Sequence, residues 1–335
     1  MQMTLADILA ARKAIDGKVV RTPLLPSGFL TEKTGVPFHM KMESLQPTGA
    51  FKLRGATNAA RNVPFETTTL TCCSTGNHGR GVAHAARQLG LKAVVCMSSL
   101  VPQTKIDAIR ALGAQVRITG NSQDDALEEC RQLSLGPGIR EISPFDGPHV
   151  IAGQGTVGLE ILEDLPDVAT LLVPLSGGGL AAGVALAAKS INPSIKVIGV
   201  TMDRGAAMDA SIKAGHPVEV TEVASLADSL GGGIGLDNKL SFSMCRDLLD
   251  AIVLVTEEDI YRAMQVLYFE ERLVAEGAAV VGIAACLSGK LADLTGPVAT
   301  IITGRTVDMI QFTEVIGGRD IVLGDKLLKG APYAP

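Results

Sequence analysis

Short runs of apolar and β-branched residues alternate along the chain with longer segments in which apolar residues recur every three or four positions. The short runs predict strands over residues 69–73, 93–97, 116–119, 171–173, 197–201, 252–255 and 299–303. The longer segments predict helices over residues 79–89, 103–112, 124–133, 155–164, 257–271 and 276–289. This alternation is typical of α/β proteins, in which helical crossovers join the strands of parallel sheets.

Residues 47–56, with the sequence PTGAFKLRGA, predict a turn that opens a helix with Lys52 at its start. The unpaired N–H groups of a helix start disfavour an ammonium group, so we expect Lys52 to lose its proton easily. A neutral lysine can condense with an aldehyde. The alternative is a solvated surface lysine, which is the usual state of this residue type.

A glycine-rich segment separates the apolar run 171–174 from an apolar helical pattern over residues 181–188. It consists of Ser176, Gly177, Gly178, Gly179 and Leu180. Consecutive N–H groups at a helix start, together with a serine hydroxyl, can hold a phosphate group. The segment lacks the G-x-G-x-x-G order of dinucleotide sites and the G-K-[ST] ending of triphosphate sites. A tight turn without a ligand is the alternative.

An imine-forming lysine and a phosphate cradle together indicate pyridoxal 5′-phosphate (PLP) as cofactor. Four segments carry a family resemblance in the order 47–56, 74–79, 145–146 with 151–156, and 176–179. They resemble the serine/threonine dehydratase and serine racemase group of fold-type II PLP enzymes, which have the fold of the tryptophan synthase β subunit. Residues 227–235 and 303–305 are similar to a subset of dehydratases linked to hydroxyectoine breakdown.

The resemblance implies an α/β fold of two parallel-sheet domains, with the active site in the cleft between them. It implies a discontinuous large PLP-binding domain of residues 1–59 and 146–335 and a small inserted domain of residues 60–145. No linker rich in proline and serine marks these boundaries in the sequence.

The resemblance also implies roles around the cofactor. Lys52 would bind PLP covalently and act as the base, with Phe51 packed beside the ring, and residues 176–180 would bind the phosphate. Asn77 would hydrogen-bond the ring oxygen of PLP, or would serve as the N-cap of the following helix. Thr303 would place a neutral hydroxyl against the pyridine nitrogen, which favours β-elimination over transamination. A structural threonine at the end of a buried strand is the alternative.

The loop Ser74, Thr75, Gly76, Asn77 and His78 joins a predicted strand to a predicted helix. Its N–H groups and hydroxyls suit the α-carboxylate of an amino-acid substrate. Thr75 stands where racemases of the group have a serine that acts as acid and base on the opposite face. For His78, a purely structural role in the loop is the alternative to substrate binding.

One departure from the resemblance concerns metal binding. Some relatives bind a divalent cation beside the strand predicted over 197–201, but Thr201 and Ala207 stand where a glutamate and an aspartate are expected. Because a hard cation needs carboxylate ligands, we expect no metal site. Asp203 and Asp209 lie nearby and leave a rebuilt site open.

The resemblance implies a dehydratase, or ammonia-lyase, that converts a β-hydroxy amino acid into a 2-oxo acid and ammonia. The substrate would be threonine-like or serine-like, or a larger hydroxydiamino acid derived from hydroxyectoine. Arg305 is a second departure, and its guanidinium either recognises a polar substituent on a larger substrate or pairs with an acidic neighbour. An amino-acid racemase of the serine racemase type and a non-catalytic PLP or amino-acid binder are the alternatives.

The composition limits the classes of partner and of structural cross-link that this chain can have. The 335 residues carry 30 basic and 35 acidic side chains and a net charge of −5, which argues against nucleic acid or an anionic membrane as main partner. The six cysteines form no C-x-x-C pair and show no zinc-site spacing, so we expect neither a disulfide framework nor a structural metal. The N-terminus lacks the features of a signal peptide, which predicts a cytoplasmic protein. We expect a homodimer or higher homo-oligomer that acts on a small amino acid.

Overall fold

The computed structural model describes residues 3–74, 76–99, 101, 103–121, 123–291 and 294–334. Its strands are β1 (Leu24–Pro26), β2 (Phe38–Lys41), β3 (Thr69–Cys73), β4 (Lys92–Met97), β5 (Gln115–Ile118), β6 (Ile139–Glu141), β7 (Thr170–Pro174), β8 (Lys196–Met202), β9 (Ala251–Val255), β10 (Val298–Ile301), β11 (Ile321–Leu323) and β12 (Lys326–Leu328).

Helices connect most of these strands. They are α1 (Leu5–Ile15), α2 (Gly28–Thr34), α3 (Lys52–Arg61), α4 (Asn77–Gln88), α5 (Gln103–Arg110), α6 (Gln123–Ser134), α7 (Pro148–Asp164), α8 (Gly179–Ile191), α9 (Ala207–Ala214), α10 (Leu240–Leu248), α11 (Glu257–Phe269), α12 (Val281–Leu287) and α13 (Met309–Ile316). Short 3₁₀ turns lie at Glu43–Leu45, Asp228–Leu230 and Gly277–Ala279. Over the described ranges, every helix is too short or too polar to cross a bilayer.

The strands form two main sheets. The larger has the order β1-β2-β10-β7-β8-β9 and is parallel except for β1, which pairs antiparallel with β2. The smaller has the order β5-β4-β3-β6 and is parallel throughout. Strands β11 and β12 form a separate antiparallel hairpin. The predicted α/β class with parallel sheets is confirmed.

The strand order brings four loops together. In the larger sheet the chain passes from β7 to β8 on one side, whereas β10 inserts on the other side of β7. In the smaller sheet the chain passes from β3 to β4, whereas β6 inserts on the other side of β3. Ligands bind parallel sheets beyond the carboxyl ends of strands at such reversals of order. The segments after β3, β6, β7 and β10 are therefore the candidate site.

All strands of the smaller sheet lie between residues 69 and 141. This supports our proposal of an inserted domain of residues 60–145 within a larger domain of residues 1–59 and 146–335. Helix α3 crosses the first of these boundaries, because it runs from Lys52 to Arg61. The apolar cores pack around each sheet separately, with Leu172 in the core of the larger sheet and Leu70 in that of the smaller.

The predicted strands agree with the structure to within two residues, and β3 spans residues 69–73 as predicted. Strand β10 ends at Ile301 rather than residue 303, because the chain turns so that Gly304 can pair with Ala50. The pattern missed β1, β2, β6, β11 and β12, which have only three or four residues each. It also missed α1, α2, α9, α10 and α13.

Two helices begin more than two residues from their predicted starts. Helix α7 begins at Pro148, before the predicted start at residue 155. Its glycines weaken the helical pattern in the sequence, but in the structure they lie where neighbouring backbones pack against the helix. A Cβ at Gly153 would lie 2.7 Å from the carbonyl oxygen of Arg54 on α3, and one at Gly155 would lie 3.0 Å from that of Gly183 on α8. Tertiary packing of this kind overrides local propensity.

Helix α12 begins at Val281, five residues after the predicted start at Glu276. The preceding 3₁₀ turn lies directly against a neighbouring loop, since a Cβ at Gly277 would lie 2.3 Å from the carbonyl oxygen of Leu226. Glu276 therefore lies in a loop, and its side chain is free to point away from the helix axis.

A buried ion network fixes the start of α3. The Arg54 guanidinium is fully buried and donates to both carboxylate oxygens of Glu43, at 2.8 and 2.7 Å, and to both of Glu160, at 2.7 and 2.8 Å. Lys41 donates to Glu160 at 2.7 Å and to the carbonyl oxygen of Thr22 at 2.6 Å. Two positive and two negative charges are thus enclosed together two residues from Lys52.

We predict that Arg54→Ala lowers the free energy of unfolding by about 3–5 kcal/mol, because it leaves two carboxylates without their buried partner. The matched control is Arg12→Ala, which removes the exposed pair with Glu163 and is expected to cost ~1 kcal/mol or less. Urea denaturation measures both variants. Equal, small losses would show that the network does not stabilise the fold.

The same network gives a pH dependence. Burial alone would raise the pKa of Glu43, but the Arg54 guanidinium outweighs burial and holds that pKa below its ordinary value. Stability from this pair is therefore present at neutral pH and is lost as the pH falls through the lowered pKa. The pH-dependent part of wild-type stability below pH ~5 should shrink in Arg54→Ala.

Candidate active site

Lys52 is the first residue of α3, as the sequence predicts, and is half-buried. Its Nζ donates to the carbonyl oxygen of Pro144, in the segment after β6, at 2.7 Å. Burial lowers the pKa of Lys52 to about 8, and the charge of Glu276 opposes this shift. At neutral pH roughly a tenth of such amines is unprotonated, far more than for an ordinary lysine. Lys52 is not a solvated surface lysine.

The glycine segment forms the turn between β7 and α8. Gly178 has a φ of 90°, and a Cβ there would lie 2.7 Å from Cε of Met208. Helix α8 begins at Gly179 with no side-chain cap from any described residue. The N–H groups of its first turn are therefore available to an anion. Ser176 precedes them and is half-buried, while Leu180 is buried.

The segment after β6 lies between Lys52 and the glycine turn. A Cβ at Gly177 would lie 2.2 Å from the ring of Phe145, whose neighbour Pro144 accepts the Lys52 hydrogen bond. The carboxylate of Asp146 accepts N–H groups at the start of α10, where the hydroxyl of Ser241 donates to the carbonyl oxygen of Gly177 at 2.7 Å. These contacts hold the amine and the anion cradle on the same side of the large sheet.

The end of β10 is joined to the start of α3. The N–H of Phe51 donates to the carbonyl oxygen of Thr303 at 2.9 Å, and Arg305 donates in the same way to Gly49 at 2.9 Å. Thr303 is 3% exposed. The lysine and the threonine that the sequence singled out therefore lie on two directly bonded segments.

The buried carboxylate of Glu276, which the sequence pattern did not single out, joins the start of α4 to the segment after β10. Glu276 is 4% exposed and accepts from the side-chain amide of Asn77 at 2.9 and 3.1 Å. It also accepts from the hydroxyls of Thr306 at 2.9 Å and Ser229 at 3.1 Å. Thr306 further donates to the amide oxygen of Asn77. Burial raises the pKa of Glu276, and the hydrogen bond from Asn77 opposes the shift.

The only sequence signal for Glu276 was an acidic residue ahead of an apolar segment, which reads as an ordinary helix start. Its position directly before the packed 3₁₀ turn at Gly277–Ala279, and its contact with a residue 199 positions earlier, depend on the tertiary fold. Helix α4 begins at Asn77, two residues before the predicted start, and its N-cap residue is Gly76, so the predicted N-cap role of Asn77 is wrong.

The ring of His78 is 3% exposed, and its Nε2 lies 2.8 Å from the carbonyl oxygen of Ile142. Burial, followed by the charge of Lys52, lowers the pKa of His78 to about 3, so the ring is neutral. This contact supports the structural alternative, and substrate binding by His78 stays a prediction. The N–H of Gly76 donates to the hydroxyl of Ser74 at 3.2 Å. Thr75 lies outside the described residues.

The positions discussed for a cation contain few carboxylates. Thr201 and Ala207 are both buried, and the hydroxyl of Thr201 donates to the sulfur of Met202. Asp209 pairs with Lys213 at 2.7 Å. Within the part of the chain that the structure describes, no group of three or more His, Cys, Asp or Glu side chains is arranged to hold a metal ion.

The residues present fit PLP. The glycine turn offers first-turn N–H groups, and packing against Phe145 and Met208 leaves no space for a side chain at Gly177 or Gly178, so no side chain at these two positions covers the backbone. Lys52 offers an amine with a lowered pKa for the aldehyde. When bound, PLP supplies an electron sink for the carbanion formed at the substrate Cα.

Comparison with known proteins agrees with this geometry. Residues 15–304 match the family described as "Pyridoxal-phosphate dependent enzyme". A putative threonine dehydratase of Sinorhizobium fredii is 54% identical over 94% of this chain and 96% of its own length. An L-threonine ammonia-lyase of Thermotoga maritima is 41% identical over 97% of this chain and 81% of its own length.

Solved structures show the same fold. Maize serine racemase superposes with a TM-score of 0.88 at 30% identity, covering 94% of this chain and 97% of its own. The processed form of threonine deaminase isoform 2 from Solanum lycopersicum gives 0.84 at 36% identity, covering 93% and 92%. The chain therefore belongs to the family of pyridoxal-phosphate-dependent enzymes, has the fold-type II architecture of threonine deaminase and serine racemase, and uses PLP as its cofactor.

Proposed function

We propose that this protein is a dehydratase, or ammonia-lyase, that acts on a β-hydroxy amino acid of the threonine or serine type. The observation that carries the proposal is the Lys52 amine, which has a pKa of about 8 and lies beside the glycine turn and the end of β10. The names of the relatives support the same reaction class. Water leaves the substrate and is taken up again when ammonia is released, so the net products are a 2-oxo acid and ammonia.

We propose the following roles for the residues of the site. Lys52 holds the cofactor and, once released, takes the proton from the substrate Cα. Ser176, with the N–H groups of residues 177–180, binds the cofactor phosphate. Phe51 packs beside the ring, and Asn77, oriented by Glu276, contacts the ring oxygen. The loop of residues 74–78, including Thr75, binds the substrate α-carboxylate.

We propose that Thr303 determines whether the bound substrate undergoes β-elimination or transamination. A hydroxyl cannot keep the pyridine nitrogen protonated, so negative charge on the substrate is delocalised less than with a carboxylate partner. Prompt loss of the β-hydroxyl is then favoured over transamination.

Racemisation is the second candidate function. The observation in its favour is the TM-score of 0.88 with maize serine racemase. It would require Thr75 to supply an acid on the face opposite Lys52. Incubating the holoenzyme with L-serine and L-threonine, and measuring ammonia, 2-oxo acid and product chirality, distinguishes lyase from racemase. A protein that binds PLP but gives none of these products would be a non-catalytic binder.

We also propose a finer assignment, in which the substrate is a larger β-hydroxy amino acid, such as an acylated or carboxylated hydroxydiamino acid from hydroxyectoine. Arg305 supports it, because this exposed guanidinium forms no ion pair with a described residue and passes over Gly49. Threonine and serine offer it nothing to bind. A cytoplasmic location and a homo-oligomeric state remain parts of the proposal.

We predict that Lys52→Ala reduces ammonia release from the best substrate to below roughly a thousandth of the wild-type rate, because it removes the proposed base. Lys329→Ala, which alters an exposed lysine paired with Asp320, is the control and should retain full activity. Lys52→Ala that still eliminates at more than a few per cent of the wild-type rate would contradict the assignment.

We predict that Thr303→Asp slows elimination by roughly tenfold, or about 1.4 kcal/mol, because a carboxylate would protonate the pyridine nitrogen. Thr303→Ser keeps the hydroxyl and should remain close to the wild-type rate. Steady-state kcat for the two variants measures the effect. If Thr303→Asp and Thr303→Ser have the same kcat, Thr303 does not contact the pyridine nitrogen.

We predict that Glu276→Gln lowers the pKa of Lys52 further, because the negative charge of Glu276 raises that pKa in the wild-type protein. Acylation of Lys52 in the cofactor-free protein, followed by peptide mapping across a pH series, measures the shift. Glu270→Gln is the control, since this residue bonds the hydroxyl of Tyr333 instead. A midpoint for Lys52 that moves upward or stays constant in Glu276→Gln would contradict the coupling.

A further inference from the structure

Arg80 has an unsatisfied donor beside the candidate site. It lies in the first turn of α4, three residues after Asn77, and is half-buried. Its Nε is buried and has no hydrogen-bond acceptor among the described residues. A buried donor without a partner is destabilising, and such a group in a native structure requires an explanation.

A second unpaired guanidinium lies at the same edge of the cleft. Thr306 donates to both Asn77 and Glu276, which ties the start of α4 to the segment after β10. Arg80 lies on the same helical face as Asn77, because residues three apart are neighbours on a helix. Arg305 directly precedes Thr306. The two arginines therefore project from segments that are hydrogen-bonded to each other.

A glycine makes room for one of the two side chains. Gly49 has a φ of 82°, and a Cβ there would lie 3.6 Å from Cγ and 3.8 Å from Nε of Arg305. The Arg305 side chain thus lies flat over the turn that precedes Lys52.

The charges around Arg80 and Arg305 favour the binding of an anion. Burial and then the charge of Arg305 lower the pKa of Arg80, while Glu276 opposes that shift. Glu276 cannot satisfy both arginines, because its oxygens already accept from Asn77, Thr306 and Ser229. Each arginine disfavours the charge of the other, and an additional anion placed beside both would relieve that repulsion.

We propose that Arg80 and Arg305 bind a second carboxylate on the substrate, so that the enzyme acts on β-hydroxy amino acids with an acidic side chain. This inference rests on the proposed lyase function and narrows its substrate class. Of the acylated and carboxylated side chains proposed above, it selects the carboxylated one and excludes the acylated one. A carboxylate matches the planar fork of a guanidinium and compensates its charge, whereas a neutral acyl group does neither. The α-carboxylate remains with the loop of residues 74–78.

Threonine and 3-hydroxyaspartate form a matched pair of probes, because they differ only by a methyl group in place of the second carboxylate. For the wild-type holoenzyme we expect kcat/KM for 3-hydroxyaspartate to exceed that for threonine by at least roughly tenfold. Arg80→Gln and Arg305→Gln should each lower kcat/KM for 3-hydroxyaspartate by roughly ten- to hundredfold. The ratio of that kcat/KM to the value for threonine should fall by at least roughly tenfold in each variant, because threonine has no second carboxylate.

The control is Arg87→Gln, which removes an exposed arginine from the last turn of the same helix and should leave both substrates unaffected. Binding is measured independently of turnover with aspartate and 2-aminobutyrate, which lack the leaving hydroxyl. Calorimetry should show that aspartate binds the wild-type holoenzyme more tightly and that Arg305→Gln abolishes the difference. Because Arg305 is exposed, this variant remains informative even if Arg80→Gln does not fold.

Two different failures can be distinguished. If threonine is turned over but 3-hydroxyaspartate is not preferred, or if both arginine variants lower the two activities equally, the second-carboxylate site is wrong and the lyase function stands. If neither substrate nor serine releases ammonia, the proposed lyase function itself is wrong. A preference for an N-acyl hydroxydiamino acid over 3-hydroxyaspartate would also overturn the carboxylate assignment.

Discussion

The buried guanidinium of Arg54 fixes the element from which the candidate active site is built. Its four hydrogen bonds to Glu43 and Glu160 join α3 to the segment after β2 and to α7. Lys52 lies two residues away, so its amine is placed by a network that cannot move without exposing charges in the interior. The lowered pKa of Lys52 depends on that placement, because burial is its first cause.

The rest of the site follows from the reversals of strand order in the two sheets. The segments after β6, β7 and β10 meet at Lys52 through the carbonyl oxygen of Pro144, the ring of Phe145 and the bridge between Ala50 and Gly304. The segment after β3 meets them through the hydrogen bonds between Asn77 and Glu276. Segments that follow strands of both sheets thereby meet at a polar junction beyond the carboxyl ends of those strands, where α/β folds bind ligands.

Local pattern predicted the parts of this arrangement that are local. The parallel α/β class, the strand over residues 69–73, the helix start at Lys52 and the turn at Gly177–Gly179 each depend on a few consecutive residues. Helix α7 was predicted too short, because its glycines are explained only by the backbones of α3 and α8 that lie against them. Glu276 and Arg80 were missed for the same reason, since their significance comes from partners far away in sequence.

The central claim is that Lys52, placed by the Arg54 network, is the residue that binds PLP. Borohydride reduction of the holoenzyme followed by peptide mapping tests it most directly, because reduction makes the bond between lysine and cofactor permanent. We expect a pyridoxyl group on the peptide that contains Lys52 and on no other lysine peptide. A pyridoxyl group found on a different lysine, with Lys52 unmodified, would contradict it.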